Sequence, residues 1–134
     1  MNDLTFVLRA VDLLSARGIR VWVFGGWGEE LRGLCPPRDH AELSLLYPAR
    51  DWSRIDALQL DWVAHRRRSW CRAFVLEGTP VELLLVERDE HGWHSQLEAG
   101  RHDWPDNVFS TNGRVAVAST AALAGFRSTQ RRAA

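Results

Sequence analysis

Glu42 and Ser44 stand two residues apart in the run Ala41 to Tyr47, and Glu82 interrupts a second apolar run, Val81 to Val86. Upstream, Gly25 and Gly26 follow the apolar stretch Ile19 to Phe24, and Arg38 and His40 lead into Glu42. A glycine pair after a strand permits positive φ and lets a ligand approach the backbone closely. A helix opening behind it attracts phosphate. Residues two apart on a strand point the same way. Two carboxylates so placed can hold Mg²⁺ against phosphates, and a third on a neighbouring strand can hold another ion and take a proton from an attacking hydroxyl. Position 44, where the second carboxylate of such a pair would stand, is a serine. Arg38 could meet a phosphate, and His40 could orient a carboxylate or touch substrate; both read equally well as loop residues. Glu42 and Glu82 also read as solvent-facing charges of a one-sided sheet, but a lone charge within Val81 to Val86 requires a reason.

The elements that must position these groups follow from periodicity. Leu4, Val7, Leu8, Val11 and Leu14 recur at helical spacing, so residues 3–17 predict a helix with Asp3 as its cap and Gly18 as its stop. Ile19 to Phe24 predicts a buried strand, and Trp27 to Leu34 a short helix with Glu29 and Glu30 in its first turn. Ala41 to Tyr47 predicts a strand with Glu42, Ser44 and Leu46 on one face and Leu43, Leu45 and Tyr47 on the other. Asp51 to Leu58 predicts a short helix, and Trp62 to Ala64 a weak strand. Arg72 to Leu76 and Val81 to Glu87, joined by Glu77-Gly78-Thr79-Pro80, predict an antiparallel hairpin. Asp89 to Gly92 is a turn, residues 100–113 a loop, and Arg114 to Ala118 an edge strand. Ser119 caps a last helix running to about Arg127. Arg66, Arg67, Arg68 and Arg72 form a local basic cluster, read chiefly as a solvated loop. His91, His94 and His102 lack zinc-ligand spacing.

Composition narrows the function. A chain of 134 residues suits one domain spanning 1–134. The formal net charge of zero offers no global field for nucleic acid or an anionic membrane, and no apolar run approaches the ~20 residues of a membrane span. The start lacks a secretory pattern, so a cytoplasmic location with Cys35 and Cys71 reduced is expected. All 17 basic residues are arginine. Chemistry that needs a lysine base, a Schiff base or a P-loop lysine is therefore excluded, and phosphate contacts would come from arginine, backbone amides or metal.

With these residues in view, the chain resembles the nucleotidyltransferase superfamily, above all its small aminoglycoside and lincosamide nucleotidyltransferase branch. The resemblance rests on Gly25-Gly26-Trp27, on Arg38-Asp39-His40-Ala41-Glu42-Leu43-Ser44, and on Glu82 in Pro80 to Leu85. It extends from about Leu14 to Arg127. It implies a single-domain α/β fold, a mixed β-sheet flanked by helices. It also implies Mg²⁺ and an NTP such as ATP, with a nucleoside monophosphate passing to a hydroxyl of a small, antibiotic-like molecule. Glu82, Glu42 and His40 would then be catalytic, Glu42 and Glu82 metal ligands, and Gly25, Gly26, Trp27, Arg38 and Ser44 would bind the nucleotide. The departure at Ser44 leaves alternatives open. One is that the fold serves ligand or protein binding without transfer; the other is that the cleft runs a metal-free acid–base reaction. Larger relatives carry a further acceptor-binding part. A homodimer partner could replace it here, with the tryptophans as candidates for that surface.

Overall fold

The computed structural model describes residues 2–110 and 115–133, with side chains through residue 128. The predicted residue Arg114, at the start of the proposed edge strand, lies outside the described residues. The helix α1 (Leu4–Ser15) starts where the Asp3 carboxylate accepts the Phe6 amide at 2.9 Å, and it turns Phe6, Val7, Ala10 and Leu14 inward. Gly18, at φ +74°, releases the chain from the helix end. The strand β1 (Trp22–Phe24) is shorter than its apolar run, because α2 (Gly25–Leu31) begins at the glycine pair itself. That early start moves Glu29 and Glu30 out of the first turn, where dipole attraction had been expected to hold them. Their partners are instead Arg38, His40 and Arg127.

The strand β2 (Leu43–Pro48) precedes a single helical turn, α3 (Ser53–Asp56), shorter than predicted. Trp62 makes only an isolated bridge to Phe74, and a 3₁₀ turn follows at Ala64–Arg66. The strands β3 (Cys71–Leu76) and β4 (Thr79–Asp89) pair antiparallel as predicted. The turn between them is only Glu77-Gly78, both at positive φ (51° and 80°). Such a two-residue turn matches the strand twist. The strand β6 (Gly100–Asp103) corrects the prediction of a loop from residue 100, and β5 (Gly92–Leu97) occupies a stretch for which no element was predicted. Their sequence is too polar to signal strand. It is held by pairing with β4 and by Ser95, whose Oγ donates to the Leu85 carbonyl (2.7 Å) and accepts from the Trp104 indole (2.9 Å). The final helix α4 (Thr120–Ala133) is capped by Ser119 as expected and runs past Arg127.

Among the described residues these strands form one six-stranded mixed sheet, with β2 and β4 parallel at its centre and antiparallel neighbours around them. Alternation divides its faces. Leu43, Leu45, Tyr47, Val81, Leu83 and Leu85 pack under α1, while Leu46, Leu84 and Val86 pack with Trp104, Ala122 and Leu123 under α4. Each face buries apolar surface against a helix, which is the main stabilising term. Arg32 locks α4's approach by donating to the Val117 carbonyl at 2.8 Å and the Ala118 carbonyl at 3.0 Å.

The basic cluster is not a free anion site. Arg72 is buried, lies over Trp52 at 4.6 Å and donates to Asp56 at 2.9 Å, while Arg67 reaches the same carboxylate at 3.0 Å. The Arg72 hydrogen bond in particular holds Asp56 below its ordinary value. A depressed carboxylate contributes stability that is present above its unfolded value near 3.8 and is lost as pH falls through its folded value. The unfolding free energy should therefore fall with acid below about pH 5, and the difference between wild type and Asp56→Asn should shrink over that window. Denaturant titrations between neutral and acid pH check this; a difference that stays constant contradicts it.

Four of the tryptophans, Trp22, Trp27, Trp52 and Trp104, are buried, and Trp62, Trp70 and Trp93 are half-buried. They pack into the two cores, and Trp70 also lines the cleft wall. Cys35 and Cys71 are free thiols. Among the described residues, no helix is long and apolar enough to cross a membrane.

Candidate functional site

The parallel register sets Ser44 directly beside Glu82, and the antiparallel β1 sets Phe24 on Ser44's other side. Glu42 lies just before β2, two residues from Ser44. The three predicted groups therefore converge at one end of the sheet face that α4 covers. Above them opens a cleft of about 870 Å³. Gly25, Gly26, Arg38 and His40 form one rim, and the β5–β6 turn, Leu97 to Ala99, with Phe126 of α4 forms another wall. Trp70 and Cys71 line it beside Glu82 and Leu84. Phe126 is fixed by stacking on Trp104, with ring centres 5.4 Å apart.

Gly25 is required by its backbone conformation, and Gly26 by the side chains beside it. Gly25 holds φ +67°, and a Cβ there would lie 3.4 Å from the Ser44 Cβ. A Cβ on Gly26 would come within 3.0 Å of His40 Nδ1 and 3.1 Å of an Arg38 guanidinium nitrogen. Ser44, His40 and Arg38 thus stand next to the glycine turn, and all of them line the cleft. His40 is 5 % exposed, stacks on Trp27 at 4.3 Å, and meets the Glu30 carboxylate through Nε2 at 2.9 Å. The Arg38 amide, and then His40, hold Glu30 below the usual carboxylate range. Trp27 itself is buried, its indole donating to the Asn2 side chain at 2.8 Å. It supports His40 from behind.

Arg66 is the group that sequence reasoning missed. Its guanidinium donates through Nη1 to Glu42 at 3.2 Å and through Nη2 to Glu82. Separations of 24 and 16 residues give no sequence signal for that bridge. Nor could Trp70 or Phe126 be assigned to a wall before the sheet order was known. Burial nevertheless pushes the Glu82 carboxyl up, against the lowering effect of Arg66, and Glu42 pushes it further up. Burial and the neighbouring Glu82 also push the Cys71 thiol up, so it is a neutral wall atom, not a nucleophile.

The donor set does not fit the Mg²⁺ that the resemblance implies. Magnesium demands near-octahedral oxygen ligands and is held through carboxylates. Here both carboxylates are tied to one guanidinium, and the third position is a neutral hydroxyl. Among the described residues, no three acidic, histidine or cysteine side chains gather in a way that could hold a metal. Asp39, Glu42, Glu82 and Glu98 line the cleft against Arg38, with Arg66 beneath, so its field is acidic. That field disfavours a bare triphosphate. Hydroxyl and amine donors suit the carboxylates, and apolar faces suit Trp70, Leu97 and Phe126.

No protein-family model and no curated protein matches the chain. Solved structures do. The lincomycin-bound lincosamide antibiotic adenylyltransferase LnuA matches with a TM-score of 0.67 at 14% identity, over 87% of this chain and 80% of its own. ANT(2″)-Ia, in complex with adenylyl-2″-tobramycin, matches with 0.67 at 12% identity, over 95% of this chain and 76% of its own. A candidate nucleotidyltransferase from Thermotoga maritima matches with 0.55 at 14% identity, over 97% and 88%. The mixed sheet, its flanking helices and this agreement over most of the chain establish that the protein has the nucleotidyltransferase fold.

Proposed function

We propose that the cleft binds a small hydroxylated molecule without metal-dependent nucleotidyl transfer. The observation that carries this reading is the Arg66 guanidinium bound between Glu42 and Glu82, with Ser44 beside Glu82. In the transfer reaction those positions would hold Mg²⁺ and an NTP. Here both carboxylates are tied to one arginine side chain, and Ser44, His40 and Arg38 lie close to the glycine turn. In the binding reading Glu42 and Glu82 accept ligand hydroxyls or amines. Gly25 and Gly26 keep the rim thin, and His40 and Arg38 form its polar edge. Trp70 and Phe126 cover apolar ligand faces. Lincomycin, bound in LnuA, and tobramycin, present as its adenylyl derivative in ANT(2″)-Ia, are the first compounds to try.

Calorimetric titration tests this. Lincomycin and tobramycin are titrated in EDTA, and ATP in Mg²⁺. Saturable binding of a hydroxylated compound in EDTA is expected, lost in Ala99→Trp, which fills the cleft mouth. Mg-ATP should give no heat. Mg-ATP binding that disappears in Glu42→Ala would overturn the reading in favour of nucleotidyl transfer to a small-molecule hydroxyl.

A further inference from the structure

We infer that Arg66 is a resident cation, held where a divalent ion would have to sit, and that it excludes such ions from the cleft independently of the serine at position 44. The inference rests on the binding reading above and names the residue that enforces it. Arg66 ends the 3₁₀ turn Ala64–Arg66, and its backbone is pinned on both sides. Its amide donates to the Val63 carbonyl at 3.1 Å, and its carbonyl accepts the Cys71 thiol at 3.2 Å. Cys71 opens β3, which pairs along β4 through Glu82. The same ladder that carries Glu82 therefore places the arginine opposite it. The guanidinium is 27% exposed, with Glu82 at 25%.

Arginine suits this post better than lysine. Its fork is planar and always charged, and its separate nitrogens satisfy two carboxylates at once. An ion shared by both glutamates would need their oxygens around one centre at about 2.0–2.1 Å. The fork keeps them on separate nitrogens instead and adds a repelling positive charge. Restoring a carboxylate at position 44 therefore repairs only half of the defect.

Binding of Mn²⁺ alone, followed by the loss of its free-ion electron paramagnetic resonance signal, separates the two causes. The proteins are wild type, S44D, R66Q and the S44D/R66Q double variant, each verified as folded by circular dichroism. R66M replaces R66Q if the latter does not fold. The double variant should bind one Mn²⁺ at least about tenfold tighter than wild type or S44D, reflecting the ligand charge count. Adding Glu82→Gln should abolish that gain. If S44D alone matches the double variant, or if the folded double variant gains nothing, Arg66 is not the excluding group and the inference falls, while the metal-free binding reading stands. Mn²⁺ binding by wild type that is lost in Glu42→Ala would overturn both.

Discussion

Phe74→Ala is expected to lower the unfolding free energy by about 3–5 kcal/mol, the range for truncating a buried aromatic. Phe74 is 1 % exposed within the core under α1. Its ring meets Trp62 edge-on at 5.7 Å. The flanking backbone is tied to the same segment, since the Val63 amide donates to the Ala73 carbonyl at 2.8 Å and the Val75 amide to the Asp61 carbonyl at 2.9 Å. Truncation opens a cavity and loosens the stretch that carries Arg66 to the cleft. Against a total stability of about 5–15 kcal/mol, this is a loss of a third or more for an average domain. Urea unfolding with linear extrapolation reads it directly. A loss below about 1.5 kcal/mol, as for a volume-conserving swap, would mean that the core collapses around the site or that Phe74 is not central to it.

Arg66→Ala should destabilise the protein by about 1–3 kcal/mol at neutral pH, the cost of leaving a half-buried charged group without its hydrogen-bond partner. The figure sits below that of a fully buried ion pair because water still reaches these side chains. Two carboxylates then face each other with no cation between them. The second substitution Glu42→Gln should return part of the loss, because it removes the repulsion that Arg66 had offset. A double-mutant cycle measured by denaturant unfolding gives the coupling. Additive effects, with no recovery in Arg66→Ala/Glu42→Gln, would show that the arginine acts only as packing.

Local periodicity and a few short motifs carried most of the architecture. The apolar alternation of Leu43 to Tyr47 and of Val81 to Val86 is a property of each strand by itself, so both strands and their faces were legible in sequence, whereas the parallel register that sets Ser44 beside Glu82 belongs to the folded sheet. So were the Asp3 and Ser119 caps, which act within one helical turn. The glycine pair was legible as a turn; its neighbours were not, because Ser44, His40 and Arg38 reach it only through sheet pairing and a loop. β5 and β6 escaped notice because polar residues there become strand through hydrogen bonds to β4, Leu85 and Trp104. The serine at position 44, where the resemblance implies a second carboxylate, was also visible in sequence. That the Arg66 guanidinium bridges Glu42 and Glu82 was decided by the tertiary structure, since a charge 16 residues from one partner and 24 from the other finds them only when β3 folds against β4.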